Sequence, residues 1–220
     1  MDFLGLIFYV QKLSNMSIME YNGGTIVAMT GKNCVGIAAD RRCGLNQLQT
    51  ISTSFEKIFP MTSKCLVGFQ GLASDVQTLS ELMRFKLKLY QLREDREMST
   101  KVVSHLIATT LYEKRFAPWF AEPIVAGLDK DNKPFVAGFD FIGTESTAPD
   151  FVAAGTATEQ VFGVCESFWR PEMAPEDLFE TLSQCLMAGV DRDCLSGWGA
   201  VVHVLTPEGV QTKYLKTRMD

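Results

Sequence analysis

The chain has 220 residues, a formal net charge of −5 and a pI near 5.2, and 46% of its residues are hydrophobic. That length is ample to bury a core, and no linker rich in Pro, Gly, Ser or charge breaks the pattern, so residues 16–220 read as a single domain. No basic face dominates, which excludes a nucleic-acid binder; Arg84, Lys86 and Lys88 fall in a helical pattern as a solvated face.

Residues 3–10 are apolar, but no basic residue precedes them and no small-x-small cleavage site follows. The run is also too short to span a bilayer. Residues 1–15 therefore read as an extension or a gene-model artefact, with targeting the lesser alternative.

Two β-prone runs, 24–30 and 34–42, flank Gly31-Lys32-Asn33 and predict an antiparallel hairpin. Folding at that turn sets Gly24 beside Asp40, a carboxylate behind the small residues Ala38 and Ala39. Residues 44–54 are polar and predict a returning loop. Residues 55–60 predict a short strand that carries Lys57 and ends at Pro60. A further strand over 65–69 leads to Gln70-Gly71, where a glycine lets the chain turn into a helix.

From Leu72 the period changes. Val76, Leu79, Leu82, Met83, Leu89 and Tyr90 predict a long amphipathic helix with Ser74 and Asp75 as caps. Val102, Val103, Leu106, Ile107 and Leu111 predict a second, from Ser99 to about Phe116. Strands over 123–128 and 134–141 flank an Asp/Asn-rich turn, and 151–154 begin another. Gly155-Thr156-Ala157-Thr158 opens a helix ending at Phe168, where Thr156 taken alone is an N-cap. Pro175-Glu176-Asp177 opens the last helix, as the first turn favours. It runs to Val190 and Asp191-Arg192-Asp193-Cys194-Leu195-Ser196-Gly197, after which 199–205 and 210–215 close as a hairpin.

Six scattered cysteines, Cys34, Cys43, Cys65, Cys165, Cys185 and Cys194, form no C-x-x-C pair, so they read as buried free thiols in a reducing compartment. The two histidines, His105 and His203, read as packed rather than catalytic. Helices in pairs between antiparallel strands fit two stacked sheets with helices on both outer faces.

Several runs in order and at spacing carry more than this. They are Ala38-Ala39-Asp40-Arg41-Arg42, Tyr112-Glu113-Lys114-Arg115-Phe116, 122–129, Leu178-Phe179-Glu180-Thr181 and the D-x-x-S-G of Asp193 to Gly197. In them the chain resembles the β subunits of the 20S proteasome, their type-3 branch above all, within the N-terminal nucleophile hydrolases. The resemblance covers 16–220 and implies an α+β fold, a four-layer αββα sandwich.

In active members of that family the mature chain begins with a threonine whose hydroxyl attacks the peptide carbonyl while its own amine serves as base. The resemblance places that threonine at Gly24. It assigns the neighbouring carboxylate to Asp40 and the activating lysine to Lys57, which stands seventeen residues from Asp40 where sixteen is usual. Gly71 matches the glycine whose N–H faces the oxyanion. Thr156 stands in for a serine that contacts the threonine amine, and Asp193 and Ser196 match the pair that positions it.

Without a hydroxyl at Gly24 the resemblance implies a non-catalytic subunit, with no cofactor or metal. Asp40, Lys57, Asp193 and Ser196 are then expected to form a buried ion-pair and hydrogen-bond cluster. The implied partners are other β subunits in a heptameric ring, an opposing β ring, an α ring and unfolded polypeptide in the chamber, with no nucleic acid or membrane. ATP- and ubiquitin-dependent degradation in cytoplasm and nucleus is the implied setting. One rival is an active threonine peptidase self-processed at Gly24-Thr25; against it, a one-residue shift along a strand turns the hydroxyl to the other face. A free-standing amidohydrolase is a second rival, for which no specific residue speaks.

Overall fold

Strands Thr25–Gly31 (β1) and Cys34–Asp40 (β2) are buried at every position, and this follows from where their two faces look. Ile26, Ala28, Val35, Ile37 and Ala39 point into one cluster, while Val27, Met29, Cys34 and Ala38 point into another. A strand with alternate side chains in two cores has no solvent face, which is why the hairpin reads as continuous apolar runs rather than an alternation. The computed structural model describes residues 17–46 and 48–219; the expected extension at 1–15 lies outside the described residues.

The remaining strands are Cys43–Leu45 (β3), Gln49–Ser52 (β4), Ile58–Thr62 (β5), Cys65–Gly71 (β6), Ala121–Leu128 (β7), Pro134–Phe139 (β8), Glu145–Ala148 (β9), Phe151–Gly155 (β10), Ala200–Thr206 (β11) and Gly209–Leu215 (β12). The α-helices are Ala73–Glu94 (α1), Thr100–Tyr112 (α2), Thr158–Phe168 (α3) and Pro175–Val190 (α4). One sheet has the order β10-β1-β2-β11-β12 and the other β5-β6-β7-β8-β9, both antiparallel.

Ile58, Leu66, Ile124, Ala126 and Val136 of the second sheet meet the inner face of β1 and β2. On its outer face Val67, Phe69 and Val125 pack on Val76, Leu79 and Met83 of α1 and Val103, Ile107 and Leu111 of α2. Across the molecule, Val161 and Cys165 of α3 and Leu178, Leu182 and Leu186 of α4 cover the outer face of the first sheet. The result is the expected four-layer αββα sandwich. Fully burying each of these large side chains contributes on the order of 1.5–3 kcal/mol.

Several local expectations are corrected. The polar stretch 44–54 is not a plain loop but holds the β3–β4 hairpin, turned at Asn46 with φ 52°. The strand expected over 55–60 starts at Ile58 and runs through Pro60, which pairs with Leu66. It is an edge strand, so the missing N–H has no neighbour to satisfy. The short edge strand β9 has no apolar signal and escapes sequence reading. The second helix ends at Tyr112, and Val102 is exposed, because its core face is built by Thr100, Ser104 and Thr110 with the aliphatics. Ser74 and Asp75 do not cap α1; Asp75 instead accepts from the Phe120 N–H at 2.9 Å.

Five of the cysteines are buried as expected, but Cys194 is exposed. Burial pushes the Cys34 thiol up to about 11 and that of Cys65 to about 12, so both stay protonated and inert near neutrality. His105 is not packed; its side chain is exposed, 3.4 Å from Glu145. His203 is on β11, its Nδ1 2.8 Å from the Thr212 hydroxyl, and burial lowers its pKa.

Candidate functional site

The expected site residues converge where β1 begins and β2 ends. Asp40 is 1% exposed and Lys57 3%, and their side chains meet at 2.6 Å. Lys57 Nζ also donates to the Arg42 carbonyl at 2.7 Å and the Asp40 carbonyl at 3.3 Å, so the buried ammonium has an acceptor for each proton. The carboxylate of Asp40 accepts from the N–H groups of Thr25 at 2.8 Å, Gly197 at 3.1 Å and Arg42 at 3.3 Å. Lys57 reaches Asp40 despite its extra residue of spacing, and the β3–β4 ladder between them carries a register shift at Cys43/Gly44.

A second group lies on the helix side of the sheet. Asp193 Oδ2 accepts from Thr156 Oγ1 at 2.5 Å and from Ser196 Oγ at 2.6 Å. Thr156 is therefore not the N-cap of α3; that position belongs to Ala157, which offers no side-chain bond. The two groups are joined by a residue that the sequence marked only as a rival nucleophile. Thr25 gives its N–H to Asp40 while its hydroxyl lies 2.8 Å from Ser196 Oγ and accepts from the Ala157 N–H at 3.1 Å. Thr25 thus bridges Asp40 and Lys57 to Asp193 and Ser196, alongside the Gly197 N–H on Asp40.

The strand pleat separates positions 24 and 25. A Cβ built on Gly24 would stand 2.5 Å from Lys57 Nζ and 2.8 Å from Gln70 Oε1, facing the second sheet. The Thr25 side chain, one residue on, faces Ser196 and is fully buried. Gly71 ends β6 opposite Ala121 with φ +129°, where a Cβ would strike the Phe120 carbonyl, so local geometry alone accounts for its glycine. A void of about 10 Å³ lined by Gly23, Lys57, Gln70 and Gly71 holds at most one water.

The sequence assigns no place in the site to Gln70, Asn22 or Arg42. Arg42 is buried and donates to the Leu195 carbonyl at 2.8 Å and to Thr50 Oγ1 at 3.0 Å. Its only sequence signal was its place in Ala38-Ala39-Asp40-Arg41-Arg42.

The sequence is similar to known proteins along almost its whole length. The sequence profile described as proteasome subunit matches residues 20–205. This chain belongs to the proteasome subunit family. It is 55% identical over 205 residues to the proteasome subunit beta type-3 of Picea mariana, covering 93% of this chain and all of that relative. It is 52% identical over 205 residues to the probable proteasome subunit beta type-3 of Schizosaccharomyces pombe, with the same coverage. Against the Saccharomyces cerevisiae proteasome subunit beta type-3 it is 50% identical over 200 residues, 90% of this chain and 97% of that one.

In this proteasome subunit an acidic cleft of about 930 Å³ opens beside the site, lined by Gln70, Glu122, Asp140, Asp150, Gly155 and Thr156. Burial, and then the charge of Asp140, push the Glu122 carboxyl above the ordinary range. A carboxyl whose folded pKa is raised holds its proton more tightly in the folded chain. Its favourable contribution is present below the unfolded pKa and is lost as pH rises through the folded one. Glu122→Gln is therefore expected to raise the thermal midpoint more at pH 7 than at pH 4. An equal shift at both pH values would contradict this assignment.

Proposed function

We propose that the chain is a non-catalytic β subunit of the proteasome core, serving protein degradation by building and lining the chamber rather than by cutting. The observation that carries this reading is the absence of any side chain at Gly24, where a nucleophile would face Lys57. Asp40, Lys57 and Thr25 then hold strand ends together, with Asp193, Ser196 and Thr156 closing the network on the helix side.

The neighbouring hydroxyl does not rescue catalysis. Were the chain cut before Thr25, its amine would rest on Asp40 and its hydroxyl on Ser196, the reverse of the arrangement that the family resemblance requires. A misplacement of about 1 Å already costs on the order of a hundredfold in rate. Family membership supports assembly with other proteasome subunits. The proposal extends this to a heptameric β ring stacked on a second β ring and capped by α rings, with unfolded polypeptide inside. Ubiquitin-dependent turnover in cytoplasm and nucleus belongs to the same proposal.

Treating assembled particles with a threonine-directed epoxyketone tests it. This chain is expected to show no mass increase while active subunits in the same particles are modified. Modification of this chain would overturn the non-catalytic reading, and a stable monomer in native mass measurement would overturn the ring assignment.

A further inference from the structure

Helices α3 and α4 are joined by the short connection 169–174, and they also touch at the far end of the pair. A Cβ on Gly189, in the last turn of α4, would strike Val161 Cγ2 in the first turn of α3 and lie 3.5 Å from the Val161 α-carbon. Tied by the chain at one end and by this contact at the other, the helices run antiparallel, and the bare glycine lets their backbones approach closely. One turn along α3 from Val161 stands Cys165, and one turn back along α4 from Gly189 stands Cys185. At about 1.5 Å of rise per residue, equal steps on the two helices bring both cysteines to the same level on the facing sides.

Both side chains are fully buried and belong to one apolar cluster with Val161, Leu182 and Leu186. Contact with Cys185, and then burial, push the Cys165 thiol up, whereas the same contact lowers that of Cys185. Cys185 is thus the first of the two to ionise. The geometry points to a redox-modifiable pair, in which Cys165 and Cys185 close to a disulfide when the protein meets a small hydroperoxide and so staple α3 to α4.

The step balances with hydrogen peroxide as the oxidant. The Cys185 thiolate attacks one peroxide oxygen, the O–O bond breaks, and the departing hydroxide takes up the proton that Cys185 released, leaving a sulfenic acid and a water. The Cys165 sulfur then attacks Cys185, the S–O bond breaks, and the Cys165 proton leaves with the second hydroxide as water. Two thiols are oxidised and one peroxide is reduced to two waters. A peroxide is little larger than water and reaches the pair through local opening of the helix layer, where a bulky disulfide reagent does not fit. The staple fixes α4, whose end leads to Asp193 and Ser196. None of this depends on whether position 24 is catalytic.

Treating the full chain with hydrogen peroxide, alkylating the remaining thiols in denaturant and digesting at arginine and glutamate tests the pair by mass spectrometry. The fragments carrying Cys165 and Cys185 are expected to emerge linked, lighter than their sum by the mass of two hydrogens, and to separate on addition of dithiothreitol. Cleavage at Arg192 leaves the exposed Cys194 on a fragment of its own, so a link to that thiol is told apart and would overturn the assignment. The linked protein is expected to melt roughly 5 °C higher, from the loop that the staple closes. Cys165→Ala and Cys185→Ala should each abolish the link and the shift, while Cys194→Ser leaves both in place. Should an alanine variant fail to fold, the wild-type fragments decide. Alkylation of Cys165 and Cys185 unchanged by peroxide, oxidation of either without a link, or a link that leaves the midpoint unchanged or lower would overturn the proposal.

Discussion

Asp40→Ala is expected to lower the thermal midpoint of the full chain by roughly 10 °C, from a loss of about 3–5 kcal/mol at 2–4 °C per kcal/mol. The reason is what remains behind. Lys57 stays buried at 3% exposure with two carbonyls but no counter-charge, and the N–H groups of Thr25 and Gly197 lose their acceptor. Those two amides sit at the start of β1 and just ahead of β11, so the damage falls on the join between strands. Asp40→Asn keeps an oxygen for them but not the charge, and is expected to lie between the two. Replacing both partners, as in Asp40→Asn with Lys57→Met, should recover part of the alanine loss, since an unpaired buried charge costs more than no charge at all. A drop of less than 2 °C in Asp40→Ala would show that the pair is solvated and carries little of the stability.

Restoring a hydroxyl at the nucleophile position is expected to harm the protein rather than activate it. Gly24→Thr puts a β-branched residue at φ +119°, which costs on the order of 1–3 kcal/mol in backbone strain. Its Cβ would also stand 2.5 Å from Lys57 Nζ, an atom held by three hydrogen bonds and not free to swing aside. Overpacking of that kind adds roughly 1–3 kcal/mol. The expected outcome is therefore a loss of about 2–6 kcal/mol in denaturant unfolding with no epoxyketone reactivity. Wild-type stability in Gly24→Thr would mean that the glycine is a mere absence. Stability together with labelling would mean that one oxygen separates this chain from an enzyme.

Most of the architecture was legible in the sequence because it depends on local periods. The runs around Gly31-Lys32-Asn33 gave the β1–β2 hairpin, and the step of three and four from Val76 to Met83 gave α1, since apolar spacing reports which face is buried; beyond it Leu89 is exposed and Leu87 takes the core position. The Pro175 start of α4 was equally plain. Where polar residues do the work, the signal fades. Strands β4 and β9 have exposed or half-exposed side chains, and β3 is only three residues long, so no apolar alternation announces them. Thr100 and Ser104 fill core positions that a hydrophobic pattern assigns to Val102.

The candidate site divides in the same way. Motif order already named Asp40, Lys57, Asp193 and Ser196, and the pleat already said that Thr25 could not replace position 24. What it could not say was that Thr25 is the bridge, because its two partners lie 15 and 171 residues away in the chain. Nor could it show Asn22 capping a helix that begins at Ala73, or Gln70 and Lys57 crowding the α-carbon of Gly24.

By itself, then, the sequence determined the layers, the β1–β2 hairpin and the lack of a hydroxyl at position 24, whereas the register sets Thr25 and not Gly24 against Asp40. Only the tertiary structure decided whether that place is an empty socket or a filled one. Side-chain alternation is set by neighbouring bonds, whereas occupancy of a volume is set by segments that meet only after the sheets have closed on each other.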